Sequence, residues 1–210
     1  MVPRTFRDEG DAAPRRYTLA MPGEHNARNA LAAIAAATEM GIPDSAIRAG
    51  LAKVAASDMR LERLEVAGRV IYNDAYNANP DAMVASLGAF AELAAAAPHR
   101  VAILGEMREL GPDARALHEE VGRAAAGRLG AEDALVAVGP HAAALIAAAR
   151  GAGFAGRTMS AEAFSEAFAA EVAGTILAGI PSGTAVLLKG SRGARMERFL
   201  DPLRAALAST

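Results

Sequence analysis

The chain has 210 residues, 52% hydrophobic and 22% charged, the balance of a globular protein with a sizeable core. A formal net charge of -2 gives no general electrostatic case for nucleic acid or an anionic membrane, and 4% aromatic residues without Trp argue against a single-strand stacking platform. No apolar run reaches transmembrane length, no secretion core opens the chain, and the lack of cysteine excludes disulfides, thiol catalysis and thiolate metal sites, so a cytoplasmic protein is expected.

A charged opening leads into Arg16–Met21, a strand by composition with no earlier element to pair with, as if the interior of a longer chain began here. Gly23–Gly41 carries Ala30, Leu31, Ile34, Ala35 and Thr38 at helical spacing, with His25, Asn26, Arg28 and Asn29 in its first turn. From the residues alone Asn26 reads as the cap of that helix. A second helix follows through Ile47, Leu51 and Val54, and Ser57-Asp58-Met59 breaks it, which places a domain boundary near residue 58.

From there strands and helices alternate. The expected strands are 69–73, 100–105, 134–139, 157–159 and 184–188, and the expected helices are 80–97, 112–129, 140–150, 161–177 and 194–208. Continuous apolar strands separated by helices predict an α/β fold, a Rossmann-like, mostly parallel sheet covered on both faces.

The densest polar stretch is Val70–Asp81, V-I-Y-N-D-A-Y-N-A-N-P-D. An apolar strand runs into Asn73, Asp74, Tyr76, Asn77 and Asn79, and Pro80 then suits the first turn of a helix capped by Asn79. A turn needs one or two such residues, so this loop reads as functional, at the strand end where open α/β sheets bind ligands. Parallel strands bring Asp74, Glu106 and Lys189 to one sheet edge. In K-G-S-R-G, Gly190 and Gly193 allow close backbone approach, while Ser191 and Arg192 suit a phosphate or carboxylate. His118 and His141 read as surface or capping residues. No P-loop, G-x-S-x-G elbow or H-E-x-x-H is present. The residues alone define an α/β domain that takes a small anion or nucleotide at its strand ends.

Five ordered motifs carry a resemblance: G-E-H-N-A-R-N-A-L-A-A at 23–33, R-L-E at 60–62, N-D-A-Y-N-A-N-P-D at 73–81, L-G-E-M-R-E-L-G at 104–111 and K-G-S-R-G-A-R-M-E at 189–197. From about Tyr17 onward the chain resembles the carboxy-terminal part of a Mur ligase. The resemblance implies the remnant of a central ATP-binding domain over residues 1–58 and a carboxy-terminal acceptor domain over 59–210. N-D-A-Y-N-A-N-P and K-G-S-R-G are similar to the variants in members that add D-Ala-D-Ala to UDP-MurNAc-tripeptide.

Such a ligase makes a peptide bond at the expense of ATP, through an acyl phosphate, in peptidoglycan precursor synthesis. By position, Asn26 and Asn29 resemble the adenine-contacting asparagines, a role that replaces capping and suits a side-chain amide. Arg60 resembles the arginine at the ATP phosphates, and Asp74 the aspartate that accepts from the ribose hydroxyls. Tyr76, Asn77 and Asn79 would line the gap between nucleotide and dipeptide, and Lys189, Ser191 and Arg192 would meet the incoming substrate. The implied cofactors are ATP and Mg2+, and the implied partners are these small molecules, with no nucleic acid, no membrane and a monomeric state. The family's P-loop, metal ligands and modified lysine have no counterpart here, so this polypeptide by itself is expected to be inactive. A relative with another acceptor, such as a folylpolyglutamate or cyanophycin synthetase, fits N-D-A-Y-N-A-N-P less well. A freestanding, non-catalytic nucleotide- or peptide-binding module is the competing reading.

Overall fold

The computed structural model describes residues 4–6, 15–19, 24–54, 59–66, 68–177 and 181–208. The chain divides into two compact units, Met1–Ser57 and Asp58–Thr210. Ala20, Met21, Gly23 and the expected boundary at 57–58 lie outside the described residues, as does the His25 side chain.

In the first unit, strand β1 (Arg4–Phe6) pairs antiparallel with β2 (Arg15–Tyr17), Arg4 opposite Tyr17. The second strand therefore does have an earlier partner, contrary to the sequence expectation. Helices α1 (Glu24–Glu39) and α2 (Asp44–Lys53) follow, and Tyr17, Ile34 and Ile47 form a small core. The Tyr17 hydroxyl donates to Asp44 at 2.6 Å, and Arg48 both donates to Asp44 and lies over the Tyr17 ring. Donation to the carboxylate pushes the Tyr17 hydroxyl above its ordinary pKa, and the same bond holds Asp44 below its own.

The second unit is a doubly covered sheet. Its strands are β3 (Glu62–Val66), β4 (Arg69–Asp74), β5 (Arg100–Gly105), β6 (Ala134–Val138), β7 (Arg157–Ala161) and β8 (Ala185–Lys189). Among the described residues the order across the sheet is β3-β4-β8-β5-β6-β7, parallel throughout except for the antiparallel hairpin β3–β4. Period-two alternation sends β5 residues Ala102 and Leu104 to one face and Val101 and Ile103 to the other.

The first face packs on α3 (Pro80–Leu93), α4 (Ala114–Ala126) and α5 (Ala142–Gly151) through Met83, Leu87, Phe90, Val121 and Leu145. The second packs on α6 (Glu166–Val172) and α7 (Leu200–Ala208) through Phe168, Val172 and Leu203, joined by Phe199 from the turn before α7. Each fully buried Leu, Ile or Phe contributes about 1.5–3 kcal/mol, so the two cores hold the strand ends in fixed register.

Boundaries differ from the sequence reading for local reasons. Helix α3 stops at Leu93, four residues early, in a turn of alanines. Gly111–Asp113 forms a 3-10 turn before α4, with Gly111 at φ 62. Helix α6 starts at Glu166 instead of Ala161, capped by Ser165, which accepts from the Phe168 N–H at 3.1 Å, while Ala161 completes β7. The expected helix 194–208 is interrupted because Arg195 stands in the left-handed region at φ 51, so two 3-10 turns precede α7.

Candidate functional site

Strands β4, β8 and β5 are neighbours, so the polar loops that follow them meet at one edge of the sheet. Asp74 and Lys189 face each other in register, both buried, with Nζ to Oδ2 at 2.8 Å. Asp74 Oδ2 also accepts from the Ser86 hydroxyl on α3, and Oδ1 accepts from the Leu61 N–H at 3.2 Å. Lys189 Nζ gives a second bond to the Asn77 carbonyl at 3.0 Å. A charge pair removed from water needs such partners to offset its desolvation. The pair thus ties the Asn73–Asp81 loop to the Lys189–Gly193 loop.

Arg60 is exposed, and its guanidinium lies 4.5 Å from the centroid of the Tyr76 ring, itself 46% exposed. Its flanking residues Met59 and Leu61 both hold left-handed backbone, at φ 58 and φ 51. Each is a sparsely populated conformation for a residue with a side chain, and such strain gathers at functional loops. The Tyr76 N–H donates to the Met59 carbonyl at 3.1 Å, and Leu61 is anchored on Asp74, so the surrounding contacts impose the strain. An aromatic face and an unburied cation are presented together at this edge.

Asn79 caps α3, accepting from the Ala82 N–H at 2.8 Å, and Asn77 Oδ1 accepts from the adjacent Ala78 N–H. Arg192 reaches Met59 Sδ and Glu197 Oε1, each at 3.1 Å. Ser191 is buried, its N–H bonded to the Glu106 carbonyl at 3.0 Å and its Oγ without a hydrogen-bond partner. Gly190 is required here, because a Cβ would stand 2.6 Å from Met196 Cγ and 3.1 Å from the Gly105 backbone. Asn26, half-buried, and Asn29, exposed, lie three residues apart on α1 in the first unit.

His118 is neither at the surface nor a cap. It is buried, with Nδ1 2.6 Å from the Ala114 carbonyl and Nε2 accepting from the Met107 N–H at 3.0 Å. Burial holds its pKa below the ordinary histidine value. His141 stands at the start of α5, its ring centroid 4.9 Å from that of His118.

The residues that sequence reasoning missed are Ser86, Glu62 and Glu197. Glu62 Oε2 accepts from Asn73 Nδ2 at 3.0 Å and from the Met59 N–H. The last two belong to the R-L-E and K-G-S-R-G-A-R-M-E motifs and were legible there; Ser86 carries no local signal. Gly151-Ala-Gly153-Phe-Ala-Gly156 spells G-x-G-x-x-G, yet it joins the end of α5 to β7, helix to strand, the reverse of a dinucleotide-binding turn. Among the described residues no group of three or more His, Asp or Glu side chains is arranged to hold a metal ion.

Fold and site together define a Rossmann-like α/β domain with its polar loops gathered at the carboxyl ends of adjacent parallel strands. The family model of the Mur ligase, glutamate ligase domain, matches residues 59–192, more than half of the chain. The chain belongs to the Mur ligase family. It is 41% identical over 108 residues to the UDP-N-acetylmuramoyl-tripeptide–D-alanyl-D-alanine ligase of Escherichia coli, a match covering 51% of this chain and 23% of that protein. The enzyme of the same name from Treponema pallidum is 39% identical over 107 residues, again covering 51% of this chain and 23% of the relative. Among solved structures, MurF of Acinetobacter baumannii superposes with a TM-score of 0.75 at 28% identity, covering 92% of this chain and 40% of that one. The matched regions are thus well under half of each of these relatives.

Proposed function

We propose that this chain is the carboxy-terminal part of an ATP-dependent ligase that joins D-Ala-D-Ala to UDP-MurNAc-tripeptide in peptidoglycan precursor synthesis. In that reading residues 1–58 end the central ATP-binding domain and 59–210 form the acceptor domain. The observation that carries it is the Asp74–Lys189 pair, because it fastens N-D-A-Y-N-A-N-P to K-G-S-R-G at one strand-end edge. These are the two loops whose motifs resemble those of the D-Ala-D-Ala-adding members.

ATP as co-substrate would supply the phosphoryl group that activates the tripeptide carboxylate. Arg60, exposed beside Tyr76, would neutralise phosphate charge, a contribution of position and electrostatics. Asp74 spends three of its acceptor positions internally, which leaves about one lone-pair direction for a ribose hydroxyl. Asn26 and Asn29 would contact adenine. Tyr76, Asn77 and Asn79 would line the path between nucleotide and dipeptide, and Lys189, Ser191 and Arg192 would shape the dipeptide end. The Mg2+ ligands would lie outside this chain, which among its described residues gathers no group of three or more His, Asp or Glu side chains.

The test is an ADP-release assay on the protein expressed with the two amino-terminal domains of a ligase of this type. Multiple-turnover ADP release should need both the tripeptide precursor and D-Ala-D-Ala, because the tripeptide by itself allows only the acyl phosphate step, and the 210-residue chain by itself should form none. Ser191→Ala in that protein should raise the KM for D-Ala-D-Ala more than the KM for ATP. Turnover with a single amino acid in place of the dipeptide would refute the acceptor assignment.

A further inference from the structure

The two sides of one peptide group connect His118 to the K-G-S-R-G loop. The Met107 N–H donates to His118 Nε2 at 3.0 Å, and the Glu106 carbonyl accepts from the Ser191 N–H at 3.0 Å. That N–H and that carbonyl belong to the same Glu106–Met107 peptide, and partial double-bond character keeps them in one plane, pointing opposite ways. Rotating the plane to lose either bond therefore loses both. The partners also settle the imidazole's form: a carbonyl only accepts, so Nδ1 carries the proton toward Ala114, and a backbone N–H only donates, so Nε2 is bare. Bonds in such a chain polarise and strengthen one another when buried.

We propose that His118 is a positioning residue for the candidate site. As the neutral Nδ1–H tautomer it orients the Glu106–Met107 peptide, and through that peptide it sets the Lys189–Gly193 loop in place. Further packing reinforces this route, for Gly190 lies against Gly105, and the Arg108 side chain lies where a Cβ on Gly193 would stand. The inference concerns the loop itself and holds whichever ligand the loop takes. The competing explanation is a core histidine whose hydrogen bonds serve only the stability of α4.

Two substitutions separate these explanations in the 210-residue chain. His118→Gln places an amide oxygen near the Nε2 position and keeps an acceptor for Met107, whereas His118→Asn keeps only a donor near Nδ1. Amide hydrogen exchange at Ser191 is read by NMR beside the urea midpoint of each variant. The expected result is exchange at Ser191 faster on the order of tenfold in His118→Asn and within about twofold of the parent in His118→Gln, at similar urea midpoints. Equal acceleration in both variants, or none in His118→Asn, would overturn the proposal.

If neither variant folds, a His141→Asn background decides by pH. Among the described residues, His141 and Glu106 are the titratable groups that bear on His118. With His141 removed, acidification should raise exchange at Met107 and Ser191 together, after correction for intrinsic rates. A Ser191 rate that fails to follow Met107 would also overturn it.

Discussion

Lys189 reaches Asp74 across the ends of two adjacent parallel strands, 115 residues apart in sequence and 2.8 Å apart in space. Lys189 is 3% exposed and Asp74 8%, so neither charge relies on water. Removing one member strands the other, at a cost of about 3–5 kcal/mol, whereas removing both together costs much less. Asp74→Asn and Lys189→Met should each lower the urea unfolding free energy by that order, and the double variant by clearly less than the sum. Additive losses would mean that the two charges do not stabilise each other.

Ser86 is the third member of that cluster. Its hydroxyl, 3% exposed on α3, donates to the same Asp74 oxygen that Lys189 holds. Hydrogen bonds to charged groups are worth about 1.5–3 kcal/mol, and the two other donors to Asp74 remain in Ser86→Ala, so a loss near the lower end is expected. Ser86→Thr, which retains the hydroxyl, should lose less. Thermal or urea unfolding of the two variants makes the comparison, and equal losses would assign the effect to packing.

Gly122 sets two effects of opposite sign against each other. In an exposed helix, Gly to Ala gains about 1 kcal/mol of propensity. Here a Cβ would stand 2.2 Å from the Leu145 carbonyl and 3.3 Å from Ala148 Cβ, at the packing of α4 on α5. The obstruction is backbone and cannot swing aside, and overpacking of this kind costs about 1–3 kcal/mol. Gly122→Ala is therefore expected to destabilise, and a raised melting temperature would show that the helices separate easily. Gly151→Ala, with nothing within 4 Å, is the control.

The parallel strands were legible because burial on both faces leaves a continuous apolar run, as in Val101–Leu104 and Ala134–Val138. The meeting of Asp74 with Lys189 followed from the same reasoning, since parallel strand ends share an edge. Strand β3 was not legible: E-R-L-E-V alternates charge with apolar residues, and only its pairing with β4 makes it a strand. Ser86 and His118 escaped for a related reason. Each lies within a helix and acts on a loop distant in sequence, so spacing gives no signal. Where Arg195 interrupts a helix, the left-handed backbone falls on a residue with a side chain, so no glycine marks it.

The buried His118 also predicts how stability varies with pH. Desolvation is the largest influence on the ring and lowers its pKa below the ordinary 6.5, while the Ala114 bond and Glu106 pull the other way. An unfolded chain therefore takes up this proton near pH 6.5 when the folded chain does not. The histidine's contribution is complete above that pH and declines below it, until the depressed folded pKa is reached. The slope from one proton is at most about 1.4 kcal/mol per pH unit. Comparing the parent with His118→Gln at each pH isolates the contribution of this one ring. The parent's urea unfolding free energy minus that of His118→Gln should be constant above pH 7 and fall as the pH drops from about 6.5 toward 5. A difference that stays flat over that range would mean the ring is protonated equally in both states, contrary to its burial between Met107 and Ala114.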